Sequence, residues 1–136
     1  MAVSNSAFPT FKGVNLKSIT LTPTAAQGKV NSIPSGVCSV RLAANVNNTN
    51  DFTVLPPLAS VQTGHRITII AGVAASELRT PASSAEEINS ENCDGTKEAA
   101  LLATSVYTVT KIDNTIGWML EGRTAIGAYG TAIIPD

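Results

Sequence analysis

Apolar and polar positions along this chain alternate with the period of strands rather than helices. Ser18-Ile19-Thr20-Leu21-Thr22 alternates polar and apolar and is stopped by Pro23, which has no amide N–H to give a ladder. After a polar link to Gly28, Val30–Ile33 is expected to pair as a short strand before the turn signal Pro34-Ser35-Gly36. Val37–Leu42 alternates again and predicts a better strand. Asn45–Asp51 gathers side chains that satisfy backbone groups locally, so it reads as a loop between strands. Phe52-Thr53-Val54-Leu55 then runs into Pro56-Pro57, which ends the strand or places it at a sheet edge.

Gly64 precedes Arg66-Ile67-Thr68-Ile69-Ile70, where β-branched residues and apolar side chains on both faces at its end predict a central strand. Pro81–Ile88 is the one region expected to turn helically, with Ser83 or Ser84 capping a single turn that holds Glu86 and Glu87. Beyond the polar loop Asn89–Lys97, Ala99–Ala103 is followed by Ser105–Ile112, the turn Asp113-Asn114, and Ile116–Leu120, a β-hairpin by pattern. Residues 1–15 show no alternation long enough for a strand and are expected to form an N-terminal arm; residues 16–136 are expected to form one domain. Short strands separated by Gly, Pro and Asn turns predict an all-β fold, a small antiparallel β-sandwich or jelly-roll-like domain.

Composition narrows the functions open to such a domain. The 136 residues carry 9 Lys and Arg against 10 Asp and Glu, a formal charge of −1 that gives no electrostatic basis for binding nucleic acid. Charged residues make up 14% of the chain, well below the roughly 25% usual for soluble domains. Either something other than charge keeps this surface in solution, or part of it is not in solution. The most apolar window, residues 67–75, is about half the ~20 residues of a membrane-spanning helix, so no membrane partner is expected. Met1–Ala7 has neither a basic start nor an apolar stretch, so synthesis and folding in a cytoplasm are expected. The pattern Asn47-Asn48-Thr49 is then a glycosylation sequon left idle.

Candidate chemistry is sparse. Gly28-Lys29 is followed by Val30 and preceded at the required spacing by Pro23, so it does not encode a phosphate-binding loop. His65 is the sole histidine and has no local nucleophile signature beside it, so a surface or turn role is expected. Glu86, Glu87, Glu91, Asp94 and Glu98 gather without the order of a calcium loop and read as a solvated loop. Cys38 and Cys93 match no zinc spacing and are expected to be free thiols, with a disulfide open to them after release into an oxidising medium. Trp118 is expected to anchor the core beneath Ile67 and Ile69. No catalytic residues, metal ligands or cofactor are assigned, and no enzyme activity is expected. Phe8 and Phe11, isolated in the arm, admit two readings, packing back on their own domain or reaching another chain; on the second, Phe8, Pro9 and Phe11 are candidate interface residues.

The order of these elements resembles a known group of modules. Ser18–Thr22 with Gly28-Lys29-Val30, then Phe52-Thr53-Val54-Leu55-Pro56, then Gly64-His65-Arg66-Ile67-Thr68-Ile69-Ile70, Ile88-Asn89 and Gly117-Trp118 are similar to the small β-sandwich modules of tailed-bacteriophage structural proteins, both capsid decoration (cement) proteins and the heads of fibres. The resemblance covers residues 18–120. It implies a virion protein that forms a homotrimer on the outer capsid surface, binds the major capsid protein and stabilises the shell. The absence of a long repetitive shaft favours cement over fibre. The alternative is an attachment module of a fibre or spike, using loops 43–51 and 89–98 on a host glycan or protein. Oligomerisation would add the apolar burial that a domain of this size lacks.

Overall fold

A computed structural model of the chain describes residues 16–43, 50–95, 97–115 and 117–123. Within them the protein is nearly all β, with ten strands in two sheets: β1 Lys17–Leu21, β2 Val37–Leu42, β3 Phe52–Val54, β4 Arg66–Ile70, β5 Ser76–Arg79, β6 Glu87–Ile88, β7 Glu91–Asn92, β8 Ala99–Leu101, β9 Val106–Asp113 and β10 Gly117–Arg123. The larger sheet has seven strands in the order β1-β2-β4-β9-β10-β6-β7, and the smaller has three in the order β3-β5-β8. One apolar cluster draws on both, from Val40, Ile67, Ile69, Val109 and Trp118 of the larger to Leu78, Ala99 and Leu101 of the smaller.

The strands follow the alternation, and their partners do not all follow the expected pattern. β4 lies between β2 and β9, the interior position its apolar content predicts, and β9 and β10 form the antiparallel hairpin. But β1 with β2, β2 with β4, β3 with β5, and β10 with β6 are parallel pairs. The antiparallel expectation is therefore corrected to mixed sheets, and the parallel run β1-β2-β4 departs from the antiparallel strands of a jelly roll. Parallel neighbours need crossovers rather than tight turns. Here the connection from β1 to β2 is the irregular segment 22–36, and the described part of that from β2 to β4, residues 50–65, passes through β3 of the smaller sheet. At the end of β4, Ile69 is buried and Ile70, on the opposite face, is 42% exposed.

Two further expectations are corrected. Val30–Ile33 is no strand: Val30 is exposed, and only the single parallel bridge from Ser32 to Val54 forms. The reason is Asn31, whose fully buried side chain accepts from Gly28 N (2.8 Å) and donates to Ala26 O (3.2 Å) and Phe52 O (2.9 Å), stabilising a turn. Pro81–Ile88 holds no helical turn. Ser83 and Ala85 have φ of 59° and 53°, which breaks any helix, and Glu87–Ile88 enters the sheet as β6. A 3-10 turn forms elsewhere, at Leu58–Ser60, just after Pro56-Pro57.

Candidate interaction surface

Register across the larger sheet defines the face turned away from the core. One row runs Thr20, Arg41, Ile70, Val106; the next runs Ser18, Ser39, Thr68, Thr108, Glu121; a third holds Arg66, Thr110 and Met119. Ile70 and Val106 stand directly opposite each other on adjacent strands, exposed by 42% and 40%, and Met119 is exposed by 37%. The middle row carries four consecutive hydroxyl side chains with strands about 4.8 Å apart. That row, flanked by Arg41, Arg66 and Met119 and ending at Glu121, offers both donors and acceptors beside an apolar pair.

At one end of this face the sheet opens into a shallow hollow of about 520 Å³, lined by Arg41, Leu42, Ala43, Ile70, Ala71, Gly72, Val73 and Thr104. The backbone makes it narrow: a Cβ on Gly72 would stand 2.9 Å from Leu42 O. Val73 at its rim is 77% exposed. Arg41 makes no ion pair and no side-chain hydrogen bond among the described residues.

The acidic segment is not the solvated loop its composition suggests. Glu86 Oε1 accepts a hydrogen bond from Leu58 N (3.0 Å), while its Oε2 is buried with no partner among the described residues. Burial pushes the Glu86 carboxyl above its ordinary value, against the lowering effects of the Leu58 N–H and of the Lys111 charge. Lys111, itself buried, donates to Leu58 O (2.7 Å) and Val61 O (2.8 Å). An acid and a base thus clamp the 3-10 turn from its two ends. A cleft of about 260 Å³ lined by Ala59, Ser84, Glu86, Glu87, Asn114 and Thr115 lies beside the clamp.

The remaining acids are dispersed. Glu91 pairs with Lys97 (2.7 Å), Glu98 approaches Arg79 (3.5 Å), and no cluster of metal-ligating side chains occurs among the described residues.

Other sequence candidates are placed as follows. His65 Nε2 lies 3.0 Å from Val37 O, a turn histidine held to the next strand, with no nucleophile assembled on it among the hydrogen bonds of the described residues. Gly28 gives its N–H to Asn31, which leaves no cradle for a phosphate. Cys38 and Cys93 are free, Cys38 half-buried and Cys93 fully buried with its thiol pushed up to about 11, first by burial. Trp118 is fully buried in the core that includes Ile67 and Ile69. Phe8, Pro9 and Phe11 of the arm, and the sequon at residues 47–49, lie outside the described residues.

Sequence reasoning missed Lys111 and Asn31. A signal existed for the first, because Lys111 shares the parity of the inward Tyr107 and Val109 along β9. For Asn31 the partners at residues 24, 26 and 28 are local, but the Phe52 carbonyl, 21 residues on, is brought to it only by folding. Compared with known proteins, the chain matches no family model, and no curated protein aligns with it significantly.

Proposed function

We propose that this chain is a viral structural protein: a homotrimeric capsid decoration protein that sits on the outer surface of a shell built by the major capsid protein and stabilises it. The two sheets act as one β-sandwich, and the arm of residues 1–15 with Phe8, Pro9 and Phe11 grips the shell. The observation that carries the reading is the outer face of the seven-stranded sheet, where the Ile70–Val106 pair and Met119 lie exposed beside the row Ser18, Ser39, Thr68 and Thr108. In a chain with 14% charged residues, such a face gains most by docking on a neighbour. The ordered resemblance to phage decoration modules names the neighbour.

The reading makes no use of chemistry. Glu86 Oε1 and Lys111 Nζ both bond backbone groups at the 3-10 turn, which is a structural use of the pair.

The test is stoichiometry combined with a face variant. Purified protein should sediment as a trimer, and particles should carry it in hundreds of copies. Thr108→Lys with Val106→Glu, both on strand β9 and pointing away from the core, should leave the circular dichroism unchanged and reduce particle binding at least tenfold. A handful of copies per particle would indicate a fibre or spike attachment module instead, and undiminished binding by the double variant would remove this face from the contact.

A further inference from the structure

The outer face of the seven-stranded sheet presents two arginines with nothing of their own chain to bind. Arg41 and Arg66 are both exposed, and neither makes an ion pair, a side-chain hydrogen bond or a ring contact among the described residues. We infer that this face takes a protein surface of acidic and aliphatic character, on which two carboxylates meet Arg41 and Arg66 while an aliphatic side chain between them covers Ile70 and Val106. The inference deepens the docking proposed above and rests on that reading for the identity of the neighbour.

Strand register supplies the geometry. Arg41 on β2 stands opposite Ile70 on β4, and Arg66 lies at the other end of β4. With strands ~4.8 Å apart and a rise of ~3.3 Å per residue, the two arginine backbones are about 14 Å apart. Both side chains point away from the core, because Val40 and Leu42 beside Arg41, and Ile67 beside Arg66, are buried. The acid on this face, Glu121, is level with Thr68 two strands away. Its backbone is about 12 Å from Arg66 and about 16 Å from Arg41, and it pairs with neither among the described residues.

The chemistry of the face selects the partner. A guanidinium keeps its charge throughout the working pH range, sheds water more readily than an ammonium, and holds a carboxylate through two parallel N–H donors. Arg and Met are enriched in protein interfaces, and here Arg41, Arg66 and Met119 share a face with the exposed Ile70–Val106 pair. A basic partner would be repelled, and a purely apolar one would leave two guanidinium groups dry and unpaired, so the partner must bring carboxylates.

A second copy of the chain supplies them poorly. Glu77 and Glu98 already face Arg79 (2.7 and 3.5 Å), Glu91 holds Lys97 (2.7 Å), and Glu86 holds the Leu58 N–H (3.0 Å). The acidic surface therefore belongs to a different chain.

Particle binding by the full chain tests the inference. Arg41→Gln with Arg66→Gln is compared with Lys29→Gln with Lys97→Gln, which removes the same charge from loops. The arginine variant should bind particles at least tenfold more weakly than the parent, and its binding should fall less steeply between about 0.05 and about 0.5 M NaCl; the lysine variant should follow the parent. If the parent binds and the two variants behave alike, the inference is overturned and the capsid reading stands. If the parent does not bind particles, the capsid reading fails, and a probe decides the inference by itself: an extended pentapeptide with Glu at both ends and Val in the middle, whose carboxylates are spaced about 13 Å apart along the strand. This peptide should shift the amide resonances of Ile70 and Val106 in the parent but not in the arginine variant, and its Lys-ended counterpart should shift neither. Equal shifts with both peptides, or none with either, overturn the inference. Self-association of the parent that the arginine variant abolishes would assign the face to a second copy and overturn it as well.

Discussion

Replacing Asn31 tests how the crossover between the two sheets is held. Its side chain is completely buried; Oδ1 accepts from Gly28 N at 2.8 Å, and Nδ2 donates to Phe52 O at 2.9 Å and Ala26 O at 3.2 Å, with Thr24 O more distant at 3.5 Å. Phe52 opens β3, the edge of the smaller sheet, so one amide ties the segment after β1 to the other layer. Asn31→Ala removes three short bonds. Each is worth about 1 kcal/mol net, and leaving buried partners unmade adds to the loss, so about 2–4 kcal/mol is expected. That is a large share of the ~5–15 kcal/mol of a typical domain.

Asn31→Asp sharpens the test, because it keeps the shape and the acceptor but turns a carboxylate oxygen toward the Phe52 and Ala26 carbonyls. Burial and those carbonyls raise the folded-state pKa of the new Asp above its unfolded value near 3.9. The folded state then binds the proton more tightly, so stability is fullest below about pH 4 and is lost as pH rises through the folded value. Urea unfolding at fixed protein concentration, from pH 4 to pH 8, measures both effects. A loss under about 1 kcal/mol for Asn31→Ala, or an Asn31→Asp variant whose deficit against the parent does not grow with pH, refutes the assigned role.

Two further outcomes follow from the buried ionisable groups. Because the Glu86 carboxyl is raised by burial, its contribution to stability is present below the unfolded value near 4.3 and declines as pH rises through the folded value; Glu86→Gln should therefore flatten the fall in urea midpoint above pH 4.3 while keeping the acceptor for Leu58 N–H, and an unaltered slope would show that Glu86 does not titrate differently on folding. Thiol labelling at pH 8 should modify half-buried Cys38 well before Cys93, whose thiol is pushed up to about 11 and reacts only when the core opens; equal labelling rates in native buffer would contradict the packing around β7 and β8.

The parts of this fold legible in the sequence are those in which one strand carries its own signal. Val37–Leu42, Arg66–Ile70 and the hairpin of β9 and β10 announce themselves by alternation, and Pro23, Pro56 and Gly64 mark ends or starts because their backbone chemistry is local. β5 had no such signal. Ser76-Glu77-Leu78-Arg79 reads as polar, yet it is the middle strand of the smaller sheet: buried Glu77 is paired at 2.7 Å with the half-buried Arg79, which lies 4.3 Å over the Phe52 ring.

Composition and pattern alone determined that the chain is a β protein with few charges and with no motif that dictates a reaction. Tertiary structure decided which strands are neighbours, that half of the eight described pairings are parallel, and therefore which side chains share the open face. The physical reason is the range of the interactions. Alternation and turn chemistry act over a few residues and are written in consecutive letters, whereas pairing across 20 to 50 residues depends on burying one shared core. Contacts such as Lys111 on Leu58, or Ile70 beside Val106, exist only once that core has closed.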